Sequence, residues 1–242
     1  MLKKISVIKY DNSRQAYDQQ KVLTSILRSG VKKEQALNVL GRIEASLYDN
    51  ISTQKLYKKV EEEINRQKLP QHARFYRLRE VLAKMDPIDF ERFIKKFLEK
   101  EGYSCRWNVI VNGFCIEHHV DVIAENKKGE TFFVEVKRHR RFHRDCGLGD
   151  VAELWARLED IQKKHQFSTA WLITNTKFSQ HAKKYARCKE LKMTGWRYNL
   201  EHKDAIDSQN GLEKKIEEIG RDKVDAIIKK VCSFSTEEHL PT

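Results

Sequence analysis

The sequence predicts an α/β chain in two parts: a small helical domain with a short β cap, then an α/β sandwich on a mixed central sheet with a helical tail. Three observations predict it. From about residue 18 to residue 82 the apolar residues recur at helical spacing. Between Cys105 and Asn199, strand-like apolar runs alternate with helical ones. The Met85-Asp86-Pro87 step separates the two textures, because a residue before proline avoids helix. The expected domains are 1–85, 86–202 and a tail at 203–242.

In the first part, Ile5 to Lys9 reads as a short strand that runs into turn chemistry at Asp11-Asn12-Ser13. Asp18 suits a helix cap, with Val22, Ile26 and Leu27 following at helical spacing. A second helix carries Ala36, Val39, Leu40, Ile43 and Leu47. A third begins at Ser52-Thr53 with Leu56, Val60 and Ile64. Pro70 opens a fourth, which runs through Leu82 and ends near Pro87.

The second part begins with an amphipathic helix from Asp89 to Glu101, stopped by Gly102. Strands are expected from Cys105 to Val111, Ile116 to Glu125 and Thr131 to Arg138, with a turn over Asn126 to Gly129. A helix from Val151 to about His165, a buried strand from Ala170 to Thr174, a helix from Ser179 to Cys188 and a short strand from Gly195 to Asn199 complete the sandwich. Leu212 through Val231 forms one or two further amphipathic helices.

Composition narrows the function. Lys and Arg number 47 against 35 Asp and Glu, a formal charge of +12. Such a surface favours polyanions, nucleic acid first, although solvated lysines alone would look the same. An apolar content of 40% excludes wholesale disorder. No apolar run approaches the roughly 20 residues that cross a bilayer, and the start lacks the apolar core of a secretory signal. Five scattered cysteines without a CxxC pair fit a reduced, cytoplasmic chain.

The chemistry concentrates between Ile116 and Lys137. Strand alternation sets Phe132, Val134 and Val136 on one face and Glu135 with Lys137 on the other. By the same rule Ile116, His118, Val120, Val122 and Ala124 share a face, and Glu117, His119 and Asp121 share the opposite one. One hairpin thus presents Asp121, Glu135 and Lys137 among apolar neighbours, a costly grouping unless a divalent cation neutralises the acids. Hard carboxylate oxygens suit Mg²⁺ or Mn²⁺, and Lys137 could orient a water. An exposed salt-bridge ladder would use the same residues.

The order Asp121, then Glu135-Val136-Lys137, resembles the signature of the PD-(D/E)XK nuclease superfamily, with Val120 where the leading proline would stand. The stretch Asp89-Phe90-Glu91-Arg92-Phe93 through Glu101-Gly102-Tyr103, and Trp171 to Asn175 with Lys177-Phe178-Ser179 and Ala182, resemble Mrr-like restriction endonucleases and archaeal-type Holliday-junction resolvases. The resemblance covers roughly residues 88 to 200. It implies a restriction-endonuclease-like fold, a DNA substrate, and a metal held by Asp121 and Glu135 with Glu91 joining the site. Lys137 is then the fourth catalytic residue.

Residues 5 to about 84 resemble an ATP-cone, a small nucleotide-sensing domain. The matching residues are Val7-Ile8-Lys9-Tyr10-Asp11-Asn12, Tyr17-Asp18-Gln19-Gln20-Lys21 and Ala73-Arg74-Phe75-Tyr76-Arg77. The resemblance implies ATP or dATP as an allosteric ligand near Val7, Lys9, Asp11 and Lys21. Lys9 and Lys21 beside a strand-to-helix turn suit a triphosphate. A helical bundle used for oligomerisation is the competing reading, and Arg74 and Arg77 could be structural or phosphate-facing.

Beyond the triad, Arg138 to Arg144 is strongly basic and suits phosphates or solvent. His139, His143 and Cys146 have a spacing that suits Zn²⁺, against the surrounding arginines. His118, His119 and Trp155 are expected to pack or face solvent. The resulting expectation is a cytoplasmic, metal-dependent, homo-oligomeric DNA endonuclease regulated by nucleotide, with a non-catalytic, nucleotide-responsive DNA-binding regulator as the alternative.

Overall fold

Local signals set the elements of the amino-terminal unit. The computed structural model describes residues 5–9, 12–141, 144–196, 198–200 and 211–237. Strand β1 (Ser6–Ile8) pairs antiparallel with β2 (Arg14–Ala16) and parallel with β3 (Ile51–Ser52). Asn12 makes the reversal after β1 at φ +61°, a left-handed conformation that asparagine tolerates. Helix α1 (Gln19–Arg28) is capped by the Asp18 carboxylate, which accepts from the Lys21 N–H at 3.0 Å. It stops before Gly30, at φ +85°. Helices α2 (Lys33–Ala45), α3 (Thr53–Arg66) and α4 (Pro70–Tyr76) follow, and their apolar faces close on Ile26, Val39, Leu40, Ile51, Val60 and Ile64. Sequence reading finds only the first strand here. The other two span three and two residues and carry no alternating pattern.

The expected fourth helix is two. It breaks at Arg77, whose guanidinium pairs with Glu61 at 2.6 Å, and resumes as α5 (Leu78–Lys84). The chain parts into two compact units between Leu78 and Arg79, ahead of the Asp86-Pro87 step. That step instead opens α6 (Pro87–Lys100). Asp86 accepts from the Ile88 N–H at 3.0 Å and Pro87 takes the first helical position.

The second unit continues with β4 (Ser104–Asn112), β5 (Glu117–Glu125), β6 (Thr131–Lys137), α7 (Leu148–Gln162), β7 (Thr169–Thr174), α8 (Gln180–Cys188), β8 (Lys192–Gly195), β9 (Tyr198–Leu200), α9 (Leu212–Ile219) and α10 (Arg221–Glu237). The six strands lie in chain order, antiparallel except for the parallel pairs β6–β7 and β7–β8. Those parallel steps are the ones bridged by α7 and α8, as a crossover requires. The two helices bury Leu154, Leu158, Ala182 and Ala186 against Phe133, Leu172 and Met193. Helix α6 packs on β4, β5 and β6 and against α10. The mixed-sheet α/β sandwich with a helical tail is therefore the architecture of this unit. Among the described residues no helix is long and apolar enough to cross a membrane.

The last strand differs from expectation. The segment from Gly195 to Asn199 contains the turn between β8 and β9, and the buried strand is the earlier Lys192–Gly195. Thr194 fixes it by accepting from Trp171 Nε1 at 3.0 Å.

Strand alternation also breaks once, in two partners together. Trp107 hydrogen-bonds Glu91 of α6, whereas Val109, two residues on, packs in the α7 core. Unbroken pleating would give both the same face. Across the ladder Val120 and Ile123, three residues apart, share that α7 core. Val120 therefore lies with the α7 side rather than with Val122 and Ala124. The exchange centres on Asn108, at φ +55°, and on Asp121 across from it between the pairs Trp107–Val122 and Val109–Val120.

Candidate active site

The face exchange brings Asp121 to a special position. The β5–β6 ladder runs from Glu125–Thr131 to Val122–Val134, and one further step would set Asp121 opposite Glu135. At that step Asp121 Oδ2 accepts the Val136 N–H at 2.7 Å, replacing a backbone acceptor with a carboxylate. The carboxylate is held in the sheet rather than swinging over it. Burial pushes its pKa up to about 6, with the Glu91 charge adding to the rise.

Glu135 projects from β6. Burial, then the neighbouring Asp121 charge, raises its pKa. Glu91 comes from the second turn of α6 and accepts from Trp107 Nε1 at 3.3 Å. Burial again lifts it, and the Glu135 charge adds to that lift. Each of the three acids thus lies within reach of another's charge. Lys137 follows Glu135 on the same strand. Its charge acts on Glu135, and its Nζ lies 3.7 Å from Asp150 Oδ1 in the first turn of α7.

Sequence reasoning missed Arg157. Its guanidinium binds the Glu135 carboxylate and the His119 carbonyl and lies over the Phe133 ring at 4.9 Å. It sits in α7 between the core residues Leu154, Leu158 and Ile161, and that position was the available signal: a cation at the margin of a buried helix face. His118 is buried and bonds Asp160 at 2.8 Å, while His119 is exposed with Nδ1 4.0 Å from Asp121 Oδ1. His119 also bonds Asn108, so both residues of the face exchange touch one imidazole. Trp155 packs at the margin of the α7 core.

The donor set fits a hard divalent cation. Three carboxylates lie within reach of one another's charge, with Arg157 ion-paired to Glu135, and burial first and that mutual repulsion second favour their protonated forms, the state a bound cation would reverse.

The basic segment divides. Arg138 is anchored, donating to the Ala83 carbonyl at 2.7 Å, whereas Arg140, Arg141 and Arg144 are exposed. Phe142 and His143 lie outside the described residues. His139, Cys146 and Asp150 converge beside Lys137, with one potential ligand atom from each within 4.8 Å of the others.

In the amino-terminal unit, Val7 lies in β1 and Lys9 is exposed just after it. Lys21 is exposed in the first turn of α1, 3.5 Å from the Asp18 carboxylate. Asp11 and the side chain of Arg74 lie outside the described residues. Arg77 is tied to Glu61.

Comparison with known proteins finds the ATP cone domain over residues 5–84 and the restriction endonuclease domain Mrr_cat over residues 82–195. An uncharacterized protein of Archaeoglobus fulgidus is 44% identical over 103 residues, which is 43% of this chain and 58% of that relative. The crystal structure of a protein of unknown function, AF1548, is 30% identical, with a TM-score of 0.45 over 62% of this chain and 98% of its own. A repair endonuclease from Pyrococcus abyssi is 18% identical, with a TM-score of 0.33 over 42% of this chain and 41% of its own.

Proposed function

Because the chain joins an ATP-cone domain to a restriction-endonuclease domain of the Mrr type, we propose that it is a metal-dependent DNA endonuclease biased by ATP or dATP. The observation that carries this reading is the grouping of Glu91, Asp121 and Glu135, each raised in pKa, beside Lys137. Asp121 and Glu135 would hold Mg²⁺ or Mn²⁺, with Glu91 completing the set. The bound ion supplies positive charge to the scissile phosphate and to the attacking water.

The remaining chemistry falls to side chains. The Val136 N–H keeps the Asp121 carboxylate from rotating away. Lys137 orients a water in line with the phosphorus and stabilises the charge that develops there. Arg157 limits repulsion between Glu135 and Asp121 while the pocket is empty of substrate. Arg140, Arg141 and Arg144 grip the flanking backbone phosphates. Cutting a duplex needs two such centres, so a two-fold assembly accompanies the proposal. Nucleotide acts by binding one assembly state more tightly than another, with Lys9 and Lys21 facing its phosphates.

A plasmid-cleavage assay with Mg²⁺ tests the enzyme reading. Wild type should nick or cut, and Asp121→Ala and Lys137→Ala should not. One observation favours the second reading, a DNA-binding regulator: the Arg157 guanidinium is ion-paired with Glu135, one of the carboxylates a metal would use. Salt-sensitive DNA binding with no cleavage by wild type would establish that alternative.

A further inference from the structure

Beside Lys137 lies a second group of potential ligands with a different chemistry. One ring nitrogen of His139, the Cys146 sulfur and an Asp150 oxygen lie within 4.8 Å of one another. Cys146 is fully buried, and its thiol donates to Asp150 Oδ2 at 3.2 Å. His139 Nε2 is buried without a hydrogen-bond partner, an unusual state for a polar atom.

The three residues come from three separately anchored pieces of backbone. Asn175, fully buried, holds His139 at both ends: its Oδ1 accepts the His139 N–H at 2.8 Å and its Nδ2 donates to the His139 carbonyl at 2.9 Å. Cys146 is bridged to the segment before α8, donating to Lys177 O at 2.8 Å and accepting from the Ser179 N–H at 3.0 Å. Asp150 stands in the first turn of α7 and also accepts from the Gly147 N–H at 2.9 Å. Such anchoring is what a metal site needs from its surroundings.

We propose that His139, Cys146 and Asp150 form a zinc site, distinct from the carboxylate pocket, that ties the basic segment to the start of α7. A thiolate, an imidazole and a carboxylate are the ligand types of Zn²⁺, and Mg²⁺ does not take thiolate. Ligand atoms at bond lengths of about 2.0–2.3 Å around a tetrahedral ion stand roughly 3.3–3.8 Å apart. The sulfur-to-carboxylate distance of 3.2 Å lies within a few tenths of an ångström of that range, and the longest separation needs to close by at most about 1.5 Å. Binding converts the Cys146 thiol to thiolate, and the proton leaves to solvent. A water fills the fourth position. Lys137 and the exposed Arg144 oppose the ion and lower its affinity without changing the ligand set. Asp150, once coordinated, holds Lys137 less strongly and leaves that ammonium freer to face Glu135.

The test uses the full chain and Co²⁺ as a spectroscopic stand-in for Zn²⁺. Metal analysis of protein dialysed against Zn²⁺ and then metal-free buffer should give about one zinc per chain. Co²⁺ titration should produce a thiolate-to-cobalt charge-transfer band, lost in Cys146→Ser. The conservative His139→Gln change, at a partly exposed ring, should weaken the band with circular dichroism unchanged. Asp121→Asn should keep both the zinc and the band, which separates this site from the proposed nuclease centre. A folded wild type with no bound zinc and no band overturns the proposal, as does a band that survives Cys146→Ser.

Discussion

Asn108 and Asp121 face each other across the β4–β5 ladder at the single place where both strands exchange faces, and His119 touches both. Asn108 takes the left-handed conformation there, at φ +55°. The exchange turns Trp107 toward Glu91 and leaves Asp121 free to accept the Val136 N–H. A residue that tolerates positive φ is therefore part of how the acid is aimed. Asn108→Gly should preserve the proposed cleavage within a few-fold. Asn108→Val should lower it by at least about tenfold and cost on the order of 1–2 kcal/mol of stability, read from plasmid cleavage and denaturant midpoints.

Asp121 gives the protein a characteristic pH response. Its pKa rises from 3.8 unfolded to about 6 folded. Between these values the folded chain holds a proton that the unfolded chain releases, so metal-free protein should lose stability as the pH rises from about 4 to about 6. The loss is of order 3 kcal/mol, at about 1.4 kcal/mol per unit. Asp121→Asn should reduce that slope, leaving the parts carried by Glu91 and Glu135, and be more stable than wild type at pH 7.5 in chelator. Mg²⁺ should raise the melting temperature of wild type only. A variant no more stable than wild type in chelator would contradict the account.

Arg157→Ala should act in two directions. It leaves Glu135 buried without its cation, a loss of about 3 kcal/mol in metal-free protein. It also removes a charge that repels a divalent ion. The stabilisation produced by Mg²⁺ should therefore exceed that of wild type, as read by thermal scans with and without the ion.

Asp160 ties α7 to the β4–β5 turn, accepting from Cys115 N–H at 2.8 Å, Ile116 N–H at 3.4 Å and the His118 ring at 2.8 Å. The His118 bond, followed by these backbone donors, holds its carboxyl well below the usual carboxylate range. This contribution is present above the ordinary aspartate pKa and is lost as the pH falls further. In Asp160→Ala, hydrogen exchange at the Cys115 and Ile116 amides should speed up at neutral pH, with cleavage little changed.

In the amino-terminal unit, Lys21→Ala should weaken ATP binding about tenfold, or about 1.4 kcal/mol, by calorimetry. Asp18→Asn keeps the helix cap and relieves Lys21 of its partner, so it should bind ATP at least as tightly as wild type.

Long, strongly patterned segments were legible in the sequence. Phe90, Phe93, Ile94 and Leu98 mark one face of α6, and the alternation in Thr131 to Lys137 orders Glu135 and Lys137. The Asp18 cap and the Asn12 turn were legible because each is a local rule that needs no partner. What escaped depends on distant chain. Strands β2 and β3 have three and two residues and exist only by pairing with β1. The exchange at Asn108 and Asp121 breaks the alternation used to assign faces, and no single strand announces it. Arg157 reaches Glu135 across 22 positions of sequence, and Asp150 joins His139 and Cys146 only once α7 is in place.

The place where the chain divides has a practical consequence for dissecting it. Leu82, Ala83 and Met85 are buried, and the Ala83 carbonyl receives Arg138 from the end of β6. Arg79 likewise donates to the Asn175 carbonyl at 3.2 Å, at the residue that fixes His139. A separately expressed carboxy-terminal fragment should therefore start no later than Arg79. Trimming to the Asp86-Pro87 junction would strip away the short helix that props the arginine-rich strap, and poor behaviour of such a fragment would reflect that missing brace rather than any dependence on nucleotide.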